Sequence, residues 1–228
     1  MKKIMIVVLL IAFLALIIQM DIFTIKDVSY NIGLYGDQES IENIVIGEMN
    51  YIIHSKSYIK DKVLEIPMID SVTVEKKFPN KVKLNIIYKE PFLKVVDNNI
   101  KVIIDQGGNV LAINKDIKTK FSASGLELSY YKVNNKLEIH NNKEILTNLI
   151  ILIKLINKSG IDINNKIDYN NDNVYIYTYT GLKVNFGDCS NIEEKFNNFV
   201  NIYHDLLEKS INYGEIDVSI TGLPLFRK

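Results

Sequence analysis

Lys77-Phe78-Pro79-Asn80-Lys81-Val82-Lys83-Leu84-Asn85-Ile86-Ile87-Tyr88-Lys89-Glu90-Pro91 opens on a turn and runs into a strand. Phe78-Pro79-Asn80 supplies the turn chemistry, with proline fixing φ and asparagine tolerating a tight bend. Val82, Leu84 and Ile86 then alternate with Lys81, Lys83 and Asn85, the period-two pattern of a half-buried strand. Before the turn, Val72 and Val74 alternate with Thr73 and Glu75, so the two runs form a hairpin. Further upstream, Ser57 to Glu65 reads as a helix, with Ile59 and Val63 four apart and Pro67 just beyond its end. Ile41, Ile44 and Val45 share a second helical face that Gly47 terminates. Phe23 to Tyr30 roughly alternates and reads as a strand. The order strand, helix, helix, strand, strand fills about 70 residues, enough for one small domain.

After Pro91 the pattern changes. Short strands are expected at Phe92–Val96, Ile100–Ile104 and Val110–Ile113, with turns at Asn98-Asn99 and Gln106-Gly107-Gly108-Asn109. A helix follows from Lys143 to Asn157. Its apolar run Leu149–Ile153 is far too short for a membrane span and reads as a buried core helix. Strands return at Val174–Tyr179 and Leu182–Phe186. Ser190 and Glu193 have capping-box spacing at the start of a helix carrying Ile192, Phe196, Phe199, Val200, Tyr203 and Leu207. In a last strand Ile216, Val218 and Ile220 face the core, while Asp217, Ser219 and Thr221 occupy the other face. Gly222 and Pro224 end regular pairing, leaving Leu223, Leu225 and Phe226 as exposed apolar anchors. The exported part is of the α+β class.

The N-terminus carries a different signal. Lys2 and Lys3 precede an apolar run from Ile4 to Met20, about 17 residues, at the short end for a membrane-spanning helix. Bulky residues from Leu16 to Met20 oppose signal-peptide cleavage, so residues 4–20 read as an uncleaved signal anchor. The two lysines place residues 1–3 in the cytoplasm and everything beyond Asp21 outside, as a single-pass type II protein. The domains are then residues 22–91 and 92–228.

Composition removes several classes of function. Lys+Arg and Asp+Glu number 27 each in 228 residues, so no global charge draws the chain to nucleic acid. Cys189 is the single cysteine and can form no intramolecular disulfide. His54, His140 and His204 are scattered without metal-ligand spacing and read as solvated imidazoles. Cys189 precedes a helix start, where a thiolate can be stabilised. His204, though, lies about four turns along that helix, too far for a Cys–His pair. No Gly-x-Ser-x-Gly elbow or phosphate-binding glycine loop occurs. Asp168 and Asp172, among Asn164, Asn165, Asn170, Asn171 and Asn173, lack the glycine and distal glutamate of a calcium loop and read as a solvated loop. Glu75-Lys76-Lys77 and Lys115 to Lys120 read as solvated faces. The expectation is no catalytic residue, no metal, no cofactor and no small-molecule substrate.

The stretch Lys77 to Pro91 also resembles the end of the first exported domain of FtsQ/DivIB proteins, where Pro-Asn or Pro-Asp, an alternating strand and a Glu–Pro pair recur. Here Glu90 is adjacent to Pro91. Gly47-Glu48-Met49-Asn50-Tyr51, Ile104-Asp105-Gln106-Gly107, Glu194-Lys195-Phe196-Asn197-Asn198-Phe199 and Ile216-Asp217-Val218 follow in the family's order. The resemblance covers nearly the whole chain. It implies a transmembrane helix, a POTRA domain beside the membrane, a β domain, and a non-enzymatic divisome scaffold at the septum. The partners it implies are small single-pass coiled-coil division proteins of the FtsL and FtsB/DivIC kind. It further implies docking on the last strand and neighbouring helix: Asp217, Ser219, Ile220, Thr221, Leu223, Leu225, Phe226, Lys195 and Asn198. The competing readings are an envelope sensor or peptide-binding protein unrelated to division, and an exported hydrolase.

Overall fold

A computed structural model describes residues 2–18, 20–31, 38–140 and 144–228. The chain divides between Lys89 and Glu90 into two compact units.

Unit 1 begins with α1 (Lys2–Ile18), apolar on every side and exposed from Lys3 through Leu16. Its 17 residues extend about 25 Å at helical rise, against a hydrocarbon core of about 30 Å. Among the described residues no helix is long and apolar enough to cross a membrane. The membrane span expected at residues 4–20 is not supported: the helix there is Lys2–Ile18, and residue 19 lies outside the described residues. A single 3-10 turn, Asp21–Phe23, leads to β1 (Asp27–Tyr30), so the strand expected from Phe23 starts four residues late. Thr24 instead makes an isolated bridge to Asn50. Then come α2 (Gln38–Val45), α3 (Lys56–Val63), β2 (Ile69–Lys77) and β3 (Lys81–Tyr88).

Gly47, at φ +78°, ends the α2 segment and donates its N–H to Ile25 O. Ser55 caps α3, its hydroxyl accepting from Tyr58 N at 3.1 Å. The β2–β3 hairpin pairs Lys77 with Lys81 around the Phe78-Pro79-Asn80 turn, and β1 joins the far side of β3 in parallel. Ile41, Val45, Ile59 and Val63 pack on Val72, Val74, Val82, Leu84 and Ile86, closing the core. Lys76, expected to be solvated, is half-buried, its ammonium bonded to the carbonyls of Tyr51 and His54.

Unit 2 contains β4 (Leu93–Asp97), β5 (Ile100–Ile104), β6 (Val110–Ile113), β7 (Phe121–Ser124), β8 (Leu128–Tyr130), β9 (Glu138–Ile139), α4 (Ile145–Ser159), β10 (Ile163–Asn170), β11 (Asn173–Thr178), β12 (Leu182–Asn185), α5 (Ile192–Glu208), β13 (Gly214–Asp217) and β14 (Leu225–Arg227). Nine of these strands form one sheet in the order β14-β13-β12-β11-β10-β7-β4-β5-β6, and β8 pairs with β9 apart from it. The register aligns one apolar row across all nine: Phe226, Ile216, Val184, Ile176, Ile167, Ala123, Val95, Val102 and Ile113. Side chains on one face of a sheet follow such a row. The buried stripes of α4 (Ile145, Leu149, Leu152, Ile153, Ile156) and α5 (Ile192, Phe196, Phe199, Tyr203) join the same core.

The helix expected from Lys143 starts at Ile145, and Lys143 lies outside the described residues. The asparagine-rich stretch expected as a loop is β10, turned into β11 by Asn171 and Asp172, both at positive φ. Consecutive left-handed residues match the twist of a two-residue hairpin. On α5 it is Leu206 that is buried and Leu207 that is exposed, a one-residue shift in the helical stripe.

Candidate protein-binding edge

The candidate docking residues from Asp217 to Phe226 gather at the β14 end of the sheet, with one strand more than expected, while Lys195 and Asn198 lie on α5. β13 stops at Asp217, and the chain turns through Ile220 to Leu223 before β14 returns antiparallel beside β13. β13 therefore has partners on both sides, β12 and β14, and the sheet ends at β14. Gly214 permits this closure. Its φ is +123°, and a Cβ there would lie 2.5 Å from Arg227 O and 2.8 Å from the Phe226 ring.

Side-chain placement follows from the added strand. Ile216 and Val218 are buried as expected, but Ile220 is 61% exposed because the strand has already ended. Leu223 and Leu225 are 65% and 52% exposed. Phe226, expected as an exposed anchor, is half-buried and packs against the core through its pairing with Ile216. Asp217 Oδ1 accepts from Ser219 N at 3.1 Å and Ser219 Oγ at 2.6 Å, while Arg227 reaches its other oxygen at 3.4 Å. Thr221 is half-buried. The edge thus combines a fixed polar network with three exposed aliphatic side chains.

Lys195 belongs to a different feature. Its side chain is 1% exposed, so it presents no docking surface. The ammonium donates to Phe186 O at 3.1 Å, Asp188 Oδ1 at 3.0 Å and Ser190 Oγ at 3.4 Å. Burial pushes the Asp188 carboxyl up, but the Ser190 and Lys195 hydrogen bonds outweigh it and hold the group at about 2. This lysine clamps the β12–α5 turn, whose Gly187 lies against Ser219. The expected Ser190–Glu193 capping box does not form: Ser190 donates to Asp188, and Asn191 at φ +48° precedes the helix without a side-chain cap. Asn198 sits half-buried on α5.

Cys189 is fully buried in the same turn, and burial, opposed by Lys195 and reinforced by Asp188, pushes its thiol up to about 12. A thiolate stabilised at the helix start is not what the structure contains. His54 accepts from Asn50 N through Nδ1 and stacks on Tyr58, with ring centroids 4.7 Å apart. Among the described residues no three His, Cys, Asp or Glu side chains gather as a metal site.

Unit 1 has the βααββ order of a POTRA domain, and the comparisons agree. Residues 41–87 match the family model described as POTRA domain, FtsQ-type. The chain is 32% identical over 166 residues to Cell division protein DivIB of Clostridium botulinum (strain Hall), covering 70% of this chain and 63% of that protein. The protein of the same name from strain Loch Maree is 30% identical over the same lengths. That of Clostridium acetobutylicum is 23% identical over 195 residues, 82% of this chain and 75% of the relative. The match spans less than two thirds of the two C. botulinum proteins. The class is a POTRA domain of the FtsQ type followed by a β domain. Residues 41–87 are thus of the FtsQ-type POTRA family, and the chain as a whole is similar to DivIB cell-division proteins.

Proposed function

We propose that this chain is a non-enzymatic cell-division scaffold, anchored by α1 in the cell membrane at the septum, with both units outside. The similarity to Cell division protein DivIB supports the division role. Lys2 and Lys3 before an apolar α1 support the orientation, and a helix short of bilayer thickness is accommodated by local thinning.

The observation that carries the binding role is the β14 edge, where a strand with no further neighbour among the described residues carries or adjoins exposed Ile220, Leu223 and Leu225. Such an edge offers unpaired backbone groups for strand addition, and the aliphatic side chains set register. The partner it takes is a small single-pass coiled-coil division protein of the FtsL or FtsB/DivIC kind. Binding of that partner's exported segment to the detergent-solubilised chain tests the reading. Leu225→Lys and Ile220→Asp each weaken binding by about 2 kcal/mol, roughly thirtyfold in Kd, without changing the melting of unit 2. Unchanged Kd in both variants would remove the partner site from this edge.

A further inference from the structure

The turn after α2 presents two isoleucines to solvent in a conformation fixed by its neighbours. Asn50 Oδ1 accepts from Ile52 N at 2.8 Å and Ile53 N at 3.2 Å, closing a turn that points the next two residues outward. Asn50 Nδ2 donates to Ile18 O at 3.0 Å, joining this turn to the last residue of α1. Tyr51 N donates to Phe23 O, and the Lys76 ammonium lies 4.5 Å from the centre of the Tyr51 ring while bonding the carbonyls of Tyr51 and His54. Phe78, at the tip of the β2–β3 hairpin, meets Phe23 and Tyr51 with ring centroids 6.1 and 5.8 Å away. Phe78 is 72% exposed, Ile53 60%, Ile22 53% and Ile52 44%.

Large apolar side chains held out by a pinned turn need an occupant, and two observations name it. The patch is continuous with α1, whose exposed surface is apolar on every side, so the same solvent that covers α1 reaches Ile22 and Phe23. Aromatic rings set among lysines are also the chemistry of a membrane–water interface. Lys56 and Lys77 are exposed next to the turn and the hairpin tip; the carboxylates of Asp21 and Asp27 are paired with Lys26 and Lys81, and Glu48 is exposed two residues before Asn50.

We propose that the Tyr51–Ile53 turn and Phe78 insert into the interfacial layer of the outer leaflet, so that unit 1 grips the phospholipid surface through its own side chains. The inference rests on α1 being the membrane anchor. Insertion of amphipathic surface of this kind is shallow, at the boundary of headgroups and acyl chains.

The chain contains no tryptophan, so each single replacement is its own reporter. Ile53→Trp and Phe78→Trp, in the full chain reconstituted into phosphatidylcholine–phosphatidylglycerol vesicles, have blue-shifted emission. Lipids brominated near the headgroup quench most of it, and aqueous iodide quenches little. Tyr213→Trp, at an exposed ring of unit 2 (56%), sets the level of incidental collision. Leu10→Trp reports on α1. If Leu10→Trp is quenched by bromolipid while Ile53→Trp and Phe78→Trp stay open to iodide, the anchor stands and the inserted turn is refuted, leaving the patch for a protein partner. If Leu10→Trp itself escapes bromolipid, the anchor is refuted and the inserted turn with it.

Discussion

The two units solve the same problem, covering one face of a sheet with two helices, in opposite ways. Unit 1 uses three strands, of which β2 and β3 are a single hairpin, and its core is complete by Ile86. Unit 2 spreads one apolar row over nine strands in an order that jumps along the chain, and the row reaches its last position only at Phe226. Hairpin pairing is local and closes at small entropic cost, whereas non-local pairing depends on every intervening segment being in place. Unit 1 is therefore robust to events at the far end of the chain, whereas the apolar row of unit 2 is complete only when β14 is in place.

Core truncations test this contrast most strongly. Phe199→Ala, at the centre of the ring cluster with Phe186, Phe196 and Tyr203, costs unit 2 about 4 kcal/mol. Leu84→Ala costs unit 1 about 3 kcal/mol. Hydrogen exchange resolved by unit should show each loss confined to its own unit. Loss of protection in both units from either variant would break the contrast.

Next in size is Gly214→Val, which puts a branched side chain at φ +123° against Arg227 O and the Phe226 ring. It costs about 2 kcal/mol by detaching β14. Amides of β13 and β14 should lose protection while those of β4 and β5 keep theirs. Retained protection at Phe226 would show that the strand closes without the glycine.

The lysine clamp gives a smaller, pH-dependent effect. Against the upward push of burial, its hydrogen bonds hold the Asp188 carboxyl at about 2 in the folded chain, below its ordinary value of about 4, so its contribution is present above about pH 4 and is lost as pH falls through about 2. The carboxyl is 57% exposed, so solvent screening reduces that contribution to about 1 kcal/mol. Asp188→Asn should lower stability at neutral pH and flatten its dependence between pH 4 and 2. An acid limb unchanged by the substitution would assign it to other carboxylates.

The smallest effect is expected at Cys189. With the thiol buried and raised to about 12, modification by a maleimide at neutral pH should proceed only as fast as unit 2 opens. Rapid labelling of the folded chain would contradict this placement.

The order of elements in unit 1 was legible because its pattern and its turns agree. Val82, Leu84 and Ile86 alternate cleanly behind a Pro-Asn turn, and Ile59 and Val63 have helical spacing. The start of β1 was not, since Ile22, Phe23 and Ile25 keep the apolar character while Asp21–Phe23 folds into a turn beneath α1. In unit 2 the sequence revealed both helices but hid β7, β8, β9, β10 and β14. Asparagine fills Asn164, Asn165 and Asn170, which weakens strand propensity, and burial of Ile163 and Ile167 overrides it. β14 was hidden behind Gly222 and Pro224, which mark a turn equally well before a returning strand as after a last one. Lys195 was misplaced because its charge suggests exposure, whereas the carbonyl of Phe186 that receives it comes from a turn outside its own helix.

The three register pairs that hold β14 to β13 also have a mechanical meaning. β12 and β13 share four pairs, and β10 and β11 share six. A partner attached at β14 and pulling across the strands loads those rungs one after another instead of all at once, as a zipper is opened from its tab. β11 and β12, like β7 and β10, also share three pairs, so it is the place of β14 at the end of the sheet, not a smaller number of rungs, that exposes it to such a load first.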